Sequence, residues 1–179
     1  DEKGIMVWQE FPLACNEYPD DDHYLSVLEQ EATSIVRRLR THPSLILWCG
    51  GNELFNSWSK MTEQHHALRL LDKVCYNEDR YTPFIMTSPL NGMGHGHYLN
   101  YDEQTQEEFI TTLVNSRNTA YTEFGSPGAA SPEYIRQYIS EADYADCEPS
   151  NEVWTSHHAF LAWEPESWLR KTESEYFFG

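Results

Sequence analysis

A parallel α/β fold is what this sequence predicts, and three observations carry that reading. Short apolar runs take turns with segments of helical spacing along the chain. The apolar runs are continuous rather than alternating, as expected of strands covered on both faces of a parallel sheet. Glycine and proline mark the ends of several runs. The 179 residues suffice for one domain with a substantial core and are too few for two of ordinary size.

The elements follow in order. Residues 5–11 form an apolar run preceded by Gly4 and stopped by Pro12, so a buried strand is predicted. A loop rich in Pro and Asp covers 15–22. Over 23–40, Leu25, Leu28, Ala32, Ile35, Val36 and Leu39 follow helical spacing; acids lead the segment and Arg37, Arg38 and Arg40 close it, matching the helix dipole. His42-Pro43 breaks the helix. A second buried strand is predicted over 44–49, ending at Gly50-Gly51, and a helix over 63–76 with Leu68, Leu71 and Cys75 on one face. A third strand covers 83–86, a Gly-rich loop 91–96, and a weak fourth strand 97–99. A short helix over 107–115 leads to a fifth strand over 119–124. Ser131-Pro132-Glu133 opens a last helix reaching about residue 140, with proline at its first position. The final forty or so residues are less regular.

Composition narrows the function. The net charge is -17, yet 14% of residues are aromatic, with six Trp and eleven Tyr. That aromatic content speaks against a disordered acidic chain. No basic run offers the cations that phosphates require, so neither a nucleic-acid partner nor an anionic membrane surface is expected. No stretch approaches the roughly 20 apolar residues of a membrane span. Trp and Tyr with carboxylates suit sugar binding, although aromatics are more often core. Cys15, Cys49, Cys75 and Cys147 make no CxxC pair and read as idle or buried thiols. The histidine pairs His65-His66 and His157-His158 point their rings apart, and His95 and His97 have no carboxylate at ligand spacing. No metal and no cofactor are expected. The opening Asp1-Glu2-Lys3 runs directly into a strand, which reads as an internal piece of a longer chain.

Functional groups of parallel α/β folds collect beyond the carboxyl ends of strands. By that rule the second strand delivers Asn52 and Glu53, and the fifth delivers Glu123. Two glutamates on separate strands suit glycosidic bond cleavage: one protonates the leaving oxygen and the other attacks the anomeric carbon. The bland reading is a helix-capping or ion-paired carboxylate at each position.

Four motifs decide between these readings. Trp48-Cys49-Gly50-Gly51-Asn52-Glu53 resembles the acid/base motif of glycoside hydrolase family 2, and Tyr121-Thr122-Glu123-Phe124-Gly125 resembles its nucleophile motif. The run from Asp1 to Phe11 resembles the family's third barrel strand in its β-mannosidase variant, with Gln9-Glu10 where many relatives carry Gln-Asp. His97-Tyr98 resembles the sixth-strand element of that subgroup. The resemblance implies a (β/α)8 TIM barrel, present as a partial barrel of about strands three to seven within one domain over 1–179. It implies that Glu53 is the general acid/base and Glu123 the nucleophile. It further implies that Asn52 binds the sugar 2-hydroxyl and that Tyr98 donates to Glu123. Trp8 and His97 then line the subsite for the terminal sugar, and Trp154 and His157 close the pocket. The expected partners are an oligosaccharide or glycoside substrate and the remaining domains of a parent chain. β-Galactosidase or exo-β-glucosaminidase specificity stays open beside β-mannosidase, as does a non-catalytic carbohydrate-binding or scaffold role.

Overall fold

The computed structural model describes residues 1–96, 98–102, 104–125, 130–146 and 150–157. The elements run β1 (Val7–Glu10), α1 (Asp22–Leu39), β2 (Leu45–Cys49), α2 (His66–Glu78), β3 (Phe84–Ile85), β4 (Met93–His95), α3 (Phe109–Asn115), β5 (Ala120–Glu123), α4 (Pro132–Ile135), α5 (Glu141–Ala145) and α6 (Glu152–Ser156). They fall into two compact units. The first comprises Asp1–His95 with Arg117–Thr122, and the second Gly96–Ser116 with the chain from Glu123 onward.

In the first unit, β1, β2 and β3 form a parallel sheet in that order. Pairing continues past the strand ends through isolated bridges of Asn52 to Ala14 and to Ser88. The crossover connections are α1 and α2, as parallel neighbours require. Asp21 caps α1 by accepting from the His23 and Tyr24 amides. Leu28, Ala32 and Val36, one turn apart, form its buried stripe. His65 caps α2: Nδ1 accepts from the Ala67 amide at 3.3 Å, leaving Nε2–H to donate to the Tyr18 carbonyl at 3.2 Å. Ala67, Leu68, Leu71, Val74 and Cys75 of α2 complete a core with Phe11, Trp48 and Leu54. Each fully buried leucine contributes about 1.5–3 kcal/mol of transfer free energy. The Trp48 ring stacks on Phe11 at 5.7 Å, and its indole N–H donates to Asp79 at 3.0 Å.

Three expectations need correction. Of the stretch 97–99 where the fourth strand was expected, Tyr98 and Leu99 form no strand and His97 lies outside the described residues; the strand is Met93–His95, inside the stretch read as a Gly-rich loop. Gly94 explains this: a Cβ there would stand 2.7 Å from the Tyr121 ring, so only glycine lets β4 pack this closely on β5. Thr119 N–H donates to the Gly92 carbonyl at one end of this pair and Gly96 N–H to the Glu123 carbonyl at the other, in the same order along both strands. Second, the strands are not covered on both faces. Ile46 is exposed, as are Ile5 (65%) and Met6 (70%) before β1. Third, the last predicted helix stops after Ile135, although Ser131 caps it and Pro132 opens it as expected. Among the described residues no closed barrel forms: the strands make one three-stranded and one two-stranded sheet.

The second unit has its own small core, in which Ile135, Ile139 and Trp154 pack with Tyr144 and Val153. The Arg136 guanidinium lies 4.0 Å over the Tyr144 ring.

Candidate active site

Two glycines set the position of Glu53. An added Cβ on Gly50 would collide with the Met86 carbonyl oxygen, and one on Gly51 with that of Leu13. The chain leaving β2 therefore threads between the segments following β1 and β3 with no room for side chains. Its backbone is held on both sides: Asn52 N–H donates to Leu13 at 2.8 Å, Cys15 N–H to Asn52 at 3.0 Å, and Glu53 N–H to Ser88 at 2.7 Å. Buried Thr87 ties the turn from below, donating to the Gly51 carbonyl at 2.9 Å and accepting from the Leu54 amide at 3.1 Å. Glu53 itself has φ +51, a left-handed conformation unusual for a non-glycine residue. That conformation turns its side chain out of the strand direction.

Both carboxylate oxygens of Glu53 are engaged. Oε1 lies 3.0 Å from His95 Nδ1, and the Cys15 thiol donates to Oε2 at 3.4 Å. Asn52 Nδ2 donates in turn to the Cys15 sulfur at 3.5 Å. On its far side His95 Nε2 lies 3.0 Å from Ser88 Oγ, which is 2.7 Å from Thr122 Oγ1. His95 is nearly buried, at 7% side-chain exposure, whereas Glu53 keeps 26%. The carboxylate thus sits at the rim of a polar cluster whose interior is a histidine.

In the second unit, the Tyr98 hydroxyl donates to Glu123 Oε1 at 2.8 Å. Both residues are exposed. Trp154 is 3% exposed and its indole N–H donates to the Asp143 carbonyl at 2.7 Å, so its ring serves the small core. His157 lies at the end of α6, with Nδ1 donating to the Val153 carbonyl at 2.8 Å and its ring 5.2 Å from that of Tyr138. Trp8 is half-buried on β1, and its indole nitrogen is buried with no hydrogen-bond partner among the described residues. His97 lies outside the described residues.

The thiols divide. Burial pushes Cys49 and Cys75 up to about 12, so both are inert at neutral pH. Cys15 is partly exposed and meets Glu53, which the idle reading did not foresee. Cys147 lies outside the described residues. Among the described residues, no three His, Cys, Asp or Glu side chains converge as a metal site.

A family model for the TIM barrel domain of the glycosyl hydrolases family 2 matches residues 1–158. The chain belongs to glycosyl hydrolase family 2. Among its relatives are the β-mannosidases of Capra hircus and Bos taurus, each 37% identical over 172 residues, covering 81% of this chain and 20% of theirs. The β-mannosidase of Mus musculus is 38% identical over 107 residues, 52% of this chain and 12% of its own. The crystal structure of a β-D-mannosidase from Dictyoglomus thermophilum superposes with a TM-score of 0.68 at 28% identity, over 85% of this chain and 20% of that one. The chain thus spans about a fifth or less of the length of these relatives. Its fold is that of the family 2 TIM barrel domain.

Sequence reasoning on this family 2 chain missed two residues of the Glu53 cluster, His95 and Cys15. The signal for His95 was its setting between Gly94 and Gly96, since glycine inside a strand marks close backbone approach. Along the chain no carboxylate stands at ligand spacing from His95; in space Glu53 meets it as a hydrogen-bond partner across 42 positions. For Cys15 no local signal exists; its place follows from the bridge between Ala14 and Asn52.

Proposed function

We propose that this chain carries the catalytic machinery of a retaining exo-β-glycosidase acting on terminal β-mannosides. The observation that carries the reading is Glu53. It is a carboxylate at a strand end, turned outward by a left-handed backbone and held on both oxygens, yet still open to solvent. A capping or structural glutamate needs none of this. The names of the relatives support mannose as the sugar.

The mechanism is double displacement. Glu123, ionised, attacks the anomeric carbon while Glu53 transfers its proton to the departing glycosidic oxygen. Glu53, now ionised, takes a proton from water, which attacks the same carbon and releases Glu123. Retention requires the two carboxyl groups to stand roughly 5 Å apart. Tyr98 orients Glu123 through its hydroxyl hydrogen bond. Asn52 and Trp8 belong to the sugar site in this reading, as do His97 and His157, whereas Trp154 is taken up by the small core. No cofactor takes part. Strands β1 to β5 correspond to strands three to seven of the barrel, and sequence flanking this domain in a longer parent protein supplies the rest. The exposed residues before β1 are in keeping with such a neighbour.

The test is made on the full-length parent protein. A 2-fluoro mannosyl donor should label Glu123, and Glu123→Gln should abolish turnover; labelling elsewhere, or substantial hydrolysis by the variant, defeats the nucleophile assignment. Glu53→Ala should spare substrates with activated leaving groups and recover turnover with azide. A screen of aryl β-glycosides places mannose against galactose and glucosamine.

A further inference from the structure

Glu53 reaches its position with a side chain of three rotatable bonds, and an acid catalyst misaimed by an ångström forfeits much of its effect. The structure supplies an anchor that no motif announced. His95 lies between Gly94 and Gly96 on β4, and its ring fills the space between Glu53 and the Ser88 hydroxyl. β4 cannot drift, because Gly94 fits against Tyr121 with no room for a Cβ.

We propose that His95 is a positioning residue that fixes Glu53 through Oε1 and thereby makes Oε2 the oxygen that transfers the proton. This rests on the reading of Glu53 as the acid/base. The direction of the hydrogen bonds follows from donor and acceptor capacity. An ionised carboxylate only accepts, so Nδ1 carries the hydrogen. Nε2 is then an acceptor and takes the Ser88 hydroxyl hydrogen; Ser88 accepts from Thr122. Every member of the chain Thr122, Ser88, His95, Glu53 donates to the next at 2.7, 3.0 and 3.0 Å. With Oε1 occupied by a donor throughout, the acidic proton resides on Oε2. The neighbour there is the Cys15 thiol, which donates weakly to the ionised form and accepts weakly from the protonated one. Oε2 is therefore held without being locked, as an oxygen that gains and loses a proton in each cycle must be.

Two isosteric changes separate this role from packing. In the His95→Asn variant the amide nitrogen occupies the place of Nδ1 and keeps the donor to Glu53. In the His95→Gln variant it reaches toward Nε2, keeping Ser88 and losing Glu53. The full-length parent protein and both variants are assayed with an alkyl β-mannoside, which needs the acid, and with dinitrophenyl β-mannoside, which does not. General acid catalysis is worth roughly 10²–10⁴-fold, so the Gln variant should lose at least about tenfold more kcat/KM on the alkyl substrate than on the aryl one. The Asn variant should stay within about threefold of wild type on both. Equal losses on the two substrates, no loss on either, or identical behaviour of the Gln and Asn variants overturns the proposal. Should the Gln variant not fold, NMR of the histidine ring nitrogens in the wild type decides: a hydrogen on Nδ1 is expected, and a bare Nδ1 overturns it. Glu53→Ala, run on the same substrates, reads on the acid/base itself. If it lacks leaving-group dependence and azide rescue, the Glu53 reading falls and this proposal with it. If it has both while the Gln variant lacks leaving-group dependence, only the role of His95 falls.

Discussion

Replacing Tyr98 by phenylalanine removes one hydroxyl and leaves the ring that packs beside Gly96. The hydroxyl donates to Glu123 Oε1 at 2.8 Å. A hydrogen bond to a charged group contributes about 1.5–3 kcal/mol when water cannot substitute for it. Tyr98 is 41% exposed, so water replaces part of the lost contact. The expected loss is therefore about 1 to 1.4 kcal/mol. At about 1.36 kcal/mol per decade, kcat/KM should fall roughly five- to tenfold. The assay is steady-state hydrolysis of an aryl β-mannoside by the full-length parent protein, paired with the rate at which a 2-fluoro mannosyl donor labels the enzyme. Both report the attack by Glu123, so both should fall together. Wild-type values for the two rates would refute the reasoning, because a hydroxyl that orients the nucleophile cannot be dispensable. A thousandfold fall would refute it equally, since one partly hydrated hydrogen bond cannot supply that much.

Three further outcomes are expected. Gly51→Ala places a methyl against the Leu13 carbonyl and 2.9 Å from a Leu54 methyl, at φ +156, so it should cost about 2 kcal/mol or more in urea unfolding; an unchanged midpoint would contradict the packing. Leu71→Ala empties a fully buried site on α2 and should cost about 2–5 kcal/mol, read as a fall in the unfolding midpoint at unchanged slope. Hydrogen bonding to Arg37, then the charges of Arg37 and Arg40, holds the Glu78 carboxyl below its ordinary value of 4.5. A lowered folded value means that this pair stabilises above pH 4.5 and stops doing so as pH falls through the folded value; Glu78→Gln should flatten the acid side of the stability profile, and an unaltered acid slope counts against the pair.

The local signals were strong wherever a single element decided the matter. Helix α1 was legible because its apolar spacing, acidic start and basic end all report on one helix, which Asp21 caps. β2 was legible because a continuous apolar run ends at two glycines. β4 was not. Its glycines looked like a loop, and the reason they belong to a strand is the ring of Tyr121, some 27 positions away. The exposed face before β1 was equally hidden, since apolar residues at 5 and 6 look the same whether or not something covers them.

Glu53 marks the division. That a carboxylate stands there, at a strand end after Gly50-Gly51-Asn52, belongs to the sequence alone, because covalent order and the special conformations of glycine are local properties. Which groups hold that residue, by its carboxylate and by its backbone, belongs to the tertiary structure. His95, Cys15 and Ser88 come from the ends of three other strands, 42, 38 and 35 positions removed, and only the stacking of parallel strands side by side brings them to one place. Hydrogen bonds act over about 3 Å and carry no memory of sequence separation, so no reading along the chain could have assembled them.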